Sequence, residues 1–113
     1  MDAMGRTKVL FVCYGNVDRS PTAEEMFKRR PGLEVMSAGI AAAAGGRQLT
    51  RRLVDWADMI FVMEEYQAER VRALNPEAGR KVVVLGIPDN YFRNDPALRR
   101  LLEERVSPHL PRT

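Results

Sequence analysis

The sequence predicts an α/β protein, a small single-domain three-layer sandwich whose four-stranded parallel sheet is flanked by helices. Three observations predict it. Four short apolar runs rich in β-branched residues recur along the chain, bounded by turn residues. Between them lie amphipathic stretches that carry helix start and stop signals. That alternation of strand and helix calls for right-handed crossovers, which lay helices on both faces of a parallel sheet. With 113 residues and 45% hydrophobic content, one domain over residues 1–113 with its own core is expected.

The elements follow in order. Lys8–Val12 (KVLFV) is a continuous apolar run and reads as a buried strand. Ser20–Arg30 reads as a helix, with Ser20 as N-cap, Pro21 in the first helical position and Pro31-Gly32 as the stop. Leu33–Ser37 is a second strand, and the small, glycine-bearing Ala38–Leu49 is a loop. Thr50 caps a short helix through Trp56, and Met59–Met63 is the third strand. Glu64–Leu74 is a helix stopped by Asn75-Pro76, with Glu65, Glu69 and Arg72 on a solvent face. Lys81–Leu85 (KVVVL) is the fourth strand, and its β-branched run predicts burial on both faces. Asp95-Pro96 opens a last helix to about Val106, with Leu98, Leu101 and Leu102 on one face.

Composition excludes several functions. Cys13 is the one cysteine, so no intrachain disulfide forms, and with a single His109 there is no Cys/His set for zinc; neither metal nor cofactor is expected. No apolar run approaches the roughly 20 residues that span a bilayer. The polar Met1–Arg6 and the short Val9–Cys13 do not make a signal peptide, so a cytoplasmic, reducing setting is expected. Arginine supplies 15 of the 18 cations against 15 carboxylates, a net charge of +3. That is a weak footprint for nucleic acid, and the pairs Arg29-Arg30, Arg51-Arg52 and Arg99-Arg100 read as solvated helix ends. Trp56, Met59 and Met63 read as core, and His109, beside Pro108, as exposed.

Chemistry concentrates after the first strand, in Cys13-Tyr14-Gly15-Asn16-Val17-Asp18-Arg19-Ser20-Pro21. Cys-x5-Arg is a weak signal alone; its context makes it strong. The Cys leaves a buried strand, Gly15 and Asn16 tolerate positive φ, and Ser-Pro opens a helix directly after. Such a turn rings the backbone N–H groups of Tyr14 through Arg19 around a phosphate-sized anion, and the helix N-terminus adds its positive end. The same field favours a thiolate nucleophile at Cys13. Arg19 is suited to grip two phosphate oxygens, and the Ser20 hydroxyl to donate to the sulfur. A departing oxygen needs a proton donor. Asp89, just past the fourth strand, is the candidate, and Asp95, before Pro at a helix start, is the rival that suits an N-cap better. In a parallel sheet ligands sit beyond the carboxyl ends of the strands, so Tyr14–Arg19 and Ile87–Tyr91 should share one edge.

These residues resemble the low-molecular-weight protein tyrosine phosphatases, in a short bacterial branch. VLFVCYGNVDRSPTAEEMF is similar to that family's first strand, C-x5-R loop and helix. SAG at Ser37–Gly39, RQLT at Arg47–Thr50, ADMIFVME at Ala57–Glu64 and GIPDNYF at Gly86–Phe92 match in order. The resemblance implies Cys13 as nucleophile, Arg19 as phosphate ligand and Ser20 as thiolate support. It implies that Asn16 shapes the loop with help from Ser37, that Asp89 is the acid and then the base for water, and that Tyr91 and Phe92 wall the substrate ring. The implied substrate is a phosphotyrosyl protein or a small phosphomonoester. Departures are Asp18 where many members carry a second cysteine, expected to point outward; no loop-bracing His near Ala44–Gly46; no aromatic in Ala41–Gly46; and Asn90 in place of Pro. Two other readings stand beside this one: a non-catalytic phosphate or phosphopeptide module, and an arsenate reductase that relies on an external thiol.

Overall fold

The computed structural model describes residues 5–111; most of the polar opening segment, residues 1–4, lies outside it. The chain runs β1 (Thr7–Cys13), α1 (Arg19–Phe27), β2 (Leu33–Gly39), α2 (Arg51–Trp56), β3 (Met59–Val62), α3 (Glu65–Leu74), β4 (Val82–Val84) and α4 (Pro96–Val106). A 3-10 turn over Pro76–Lys81 links α3 to β4, and another follows α4. The sheet order is β2-β1-β3-β4, and every pairing is parallel.

The sheet divides the core by residue parity. Val9, Phe11, Phe61 and Met63 face α1 and α4, where they meet Phe27, Leu98 and Leu102. Leu10, Val12, Ile60 and Val62 face α2 and α3, where they meet Val54, Ala68 and Val71. Period-two side-chain alternation therefore feeds two cores from one sheet, giving the three layers. Phe11 stacks between Phe27 and Phe61, with ring centroids 5.7 and 5.4 Å away. Trp56 packs half-buried on the α2–α3 side, while His109 is exposed, its ring edge-on to Phe61 with centroids 5.9 Å apart.

Three sequence readings need correction. Ser20 is not the N-cap of α1: that place falls to Asp18, which makes no side-chain cap bond, and Ser20 is fully buried inside the first turn. Its hydroxyl is taken by Cys13 and Asn16, so it is unavailable to the helix. Next, β4 is an edge strand, with Val82 and Val83 half-buried and Val84 40% exposed. A β-branched run fits an edge as well as a centre, because what selects it is the pleated surface and not two-sided cover. Of the two loop residues that tolerate positive φ, Asn16 adopts it, at 54°. Finally, β2 extends two residues past Ser37, because Ala38 and Gly39 still pair with Val12 and Cys13.

The chain steps from β1 outward to β2, then crosses back to β3 on the other side of β1. The strand order reverses there, and the carboxyl ends of β1 and β3 bound an open crevice, the place where such sheets bind ligands.

Candidate active site

Cys13 is the last residue of β1, 2% exposed, and the loop that follows curls over it. The Asn16 N–H points at its sulfur, at 3.3 Å, and the Ser20 hydroxyl lies 2.9 Å from it. Asn16, in the left-handed region, aims its side-chain amide down into the loop, where it donates to Ser20 Oγ and Ser37 Oγ, each at 3.0 Å. Ser37 in turn donates to Glu24 at 2.6 Å. The amides of Gly15, Val17 and Asp18 find no partner among the described residues, which leaves them as donors for an anion above the sulfur.

Arg19 opens α1 and is 1% exposed, an unusual depth for a guanidinium. One terminal nitrogen is held by Glu64 at 2.5 Å and by the Ile87 carbonyl at 2.8 Å; its Nε lies 3.6 Å from Asp89. Those contacts fix the plane of the fork and leave its remaining donors for oxygens of a bound group. Cys13, Tyr14, Gly15, Val17, Asp18, Arg19 and Asp89 line a single cavity of about 340 Å³. The two sheet-edge segments expected to meet therefore do meet.

Of the two acid candidates, Asp89 reaches this cavity, with 61% of its side chain exposed. Asp95 caps α4 by accepting the Ala97 N–H at 2.9 Å. Tyr91 packs against the core on the α1–α4 side and Phe92 stands 83% exposed; neither lines the cavity, whereas Tyr14 does. Asp18 turns its carboxylate to the Arg93 N–H, at 3.0 Å, tying the loop that follows Asp89 to the start of α1.

Sequence reasoning missed three supports. Glu64 holds Arg19 while its side chain also caps α3 in a reciprocal box with Gln67; Glu-x-x-Gln after a strand signals the cap but not the ion pair. Gly39 is a close-approach glycine: a Cβ there would lie 2.8 Å from both Asn16 N and Tyr14 O. The bracing sought in a histidine comes instead from backbone. Amides of Ile40, Ala41 and Ala43 donate to the carbonyls of Cys13, Tyr14 and Gly15 at 2.9–3.0 Å, and the Arg47 amide donates to Asn16 Oδ1 at 2.8 Å.

A sulfur on the floor of an amide-lined bowl, with a buried arginine at its side and a carboxyl at its rim, is the layout of a cysteine-dependent phosphatase. Comparison with known proteins agrees. The family described as low molecular weight phosphotyrosine protein phosphatase matches residues 8–55. The Wzb low molecular weight protein-tyrosine-phosphatase of Escherichia coli K12 is 36% identical, over 76% of this chain and 79% of the relative. Among solved structures, Vibrio vulnificus Wzb in complex with benzylphosphonate superposes with TM-score 0.75 at 30% identity, covering 93% of this chain and 97% of that one. The Erwinia amylovora tyrosine phosphatase AmsI gives TM-score 0.78 at 27% identity, with 95% of each chain covered. The chain belongs to the low molecular weight protein-tyrosine-phosphatase family.

Proposed function

We propose that this chain, acting as a single domain, hydrolyses phosphate monoesters through a cysteinyl-phosphate intermediate, with phosphotyrosine in cytoplasmic proteins as the foremost substrate. The Cys13 thiolate attacks phosphorus, forming an S–P bond as the bond to the leaving oxygen breaks. Asp89 passes its proton to that oxygen. It then takes a proton from water, which attacks phosphorus, frees the sulfur and releases phosphate. Arg19 and the amides of Tyr14 through Asp18 follow the equatorial oxygens as charge redistributes. Ser20 donates to the sulfur at 2.9 Å in preference to the Ala38 carbonyl at 3.3 Å, while Asn16 donates to the Ser20 oxygen.

The observation that carries the proposal is the convergence on one cavity of the Cys13 sulfur, the buried Arg19 and the exposed Asp89. For the organic part of the substrate, the half-exposed Tyr14 at the mouth and Phe92 on the acid loop offer aromatic surface, with Tyr91 anchoring that loop on the core. The benzylphosphonate bound by the Vibrio relative supports an aromatic group next to the phosphoryl centre.

The test is hydrolysis of p-nitrophenyl phosphate with reductant and chelator present, wild type beside Cys13→Ser. Turnover that survives chelator and falls more than about 10³-fold in the variant, with phosphate binding retained, supports the proposal. No turnover in the wild type, with phosphate still raising Tm, replaces it with a phosphate-binding module.

A further inference from the structure

A second cavity, of about 330 Å³, adjoins the one that holds Cys13. Val17 and Ala43 line both, so the two are separated by little more than one side chain on each flank. Its lining includes two arginines, Arg47 and Arg93, together with Ala44, Gly45 and Gly46, which add little side-chain bulk. Gly45 sits at φ +87°, and a Cβ built there would meet nothing within 4 Å.

The charges in this cavity do not cancel. Glu24 is the one carboxylate in its lining; it is engaged by the Ser37 hydroxyl at 2.6 Å and faces Arg47 at 4.0 Å. Arg47 also donates to the Ser37 carbonyl at 3.2 Å and keeps 45% of its side chain exposed. The Arg93 guanidinium has no hydrogen bond or ion pair among the described residues; its backbone amide alone is tied down, to Asp18. Within the lining, two cations therefore face one carboxylate, with Asp18 and Glu25 acting on Arg93 from outside it, in a recess next to a phosphate cradle.

We infer that this recess is a specificity subsite that accepts an acidic side chain of the substrate, an Asp or Glu within about three residues of the phosphorylated one. The inference rests on the phosphatase reading above. The geometry sets the spacing: extended chain advances about 3.3–3.6 Å per residue, so a ridge one side chain wide is crossed within one to three residues. The chemistry sets the ligand. Arg93 offers a planar fork of donors that suits a carboxylate, and its anchored backbone keeps the side chain at the rim. Because the contact is solvent-exposed, its strength is modest and falls with salt.

The experiment separates this inference from the reading beneath it. Wild-type turnover of p-nitrophenyl phosphate, too small to reach the recess, tests phosphatase activity alone. Affinity is then measured on Cys13→Ser for two phosphotyrosyl peptides, one with Asp flanking the phosphotyrosine on both sides and one with Ala at those positions. The acidic peptide should bind about 3- to 5-fold tighter at low ionic strength, the range an exposed ion pair supplies. That ratio should fall to about 1 when Arg93→Ala is added, and also when Ala44→Glu places a carboxylate in the recess. An equal affinity for the two peptides, or a preference that survives both substitutions, overturns the subsite whether or not p-nitrophenyl phosphate is hydrolysed.

Discussion

Replacing Glu64 by Gln isolates what the Glu64 carboxylate does for Arg19. Gln keeps the shape and one acceptor oxygen, and removes the negative charge. Two unit charges about 4 Å apart at an effective dielectric of 20 interact by about 4 kcal/mol. Arg19 is buried, but Glu64 is 35% exposed, so water screens the pair and the figure needs roughly halving. The ligand-free protein should therefore lose about 1–2 kcal/mol, read as a lower urea midpoint at unchanged slope. Bound phosphate pairs Arg19 in place of the lost carboxylate, so the stability gap should narrow at saturating phosphate. In kinetics, a fork free to tilt no longer tracks the transferring group, and kcat should fall about tenfold, some 1.4 kcal/mol, with no rise in KM. Glu64→Ala removes the cap as well and should cost a further 0.5–2 kcal/mol or so. The reasoning is refuted if Glu64→Gln leaves kcat intact, or if its stability deficit is the same with and without phosphate.

Three further outcomes follow from the geometry. Asp89→Asn should lower kcat by about 10²–10⁴ for poor leaving groups and least for p-nitrophenyl phosphate, whereas Asp95→Asn should leave the rates alone and Asp95→Ala should cost about 1 kcal/mol through its cap; the reverse pattern would move the acid role to Asp95. Gly39→Ala puts a methyl against the backbone of Tyr14, Gly15 and Asn16, none of which can retreat, so stability should drop by about 1–3 kcal/mol and phosphate binding with it; calorimetry with and without phosphate checks both, and a fully stable, phosphate-binding variant would show that the loop yields. Burial by itself pushes the Asp58 carboxyl up, but favourable contacts led by the Lys8 N–H at 2.8 Å outweigh it and hold the group below the ordinary range. A depressed folded value means that the stability Asp58 lends is fully present above its unfolded value of about 3.9 and is lost as pH falls through the folded value. Asp58→Asn should flatten that acid limb in urea titrations between about pH 5 and pH 2, and an unchanged limb would assign it to other carboxylates.

Much of this was legible in the chain because it is locally encoded. Element order, the Thr50 and Asp95 caps, the apolar runs of β1 and β3 and the Cys13–Arg19 loop each depend on residues within one element or one turn of each other. From those alone come an α/β sandwich and a cysteine poised at a strand end. The tertiary structure decided what lies across the crossovers. Glu64 reaches Arg19 over 45 positions and the Ile87 carbonyl over 68, so neither support has a local signature. Ser20 reads locally both as a cap and as a partner of the Cys13 sulfur; the structure keeps the second reading, with the Asn16 amide of the same loop also on its hydroxyl. Gly39 is demanded by a loop 23 or more positions earlier, and the edge position of β4 by the order in which the strands assemble. Hydrophobic pattern and turn chemistry act over a few residues and set the parts; which buried charge finds which partner depends on how the sheet reverses direction around β1.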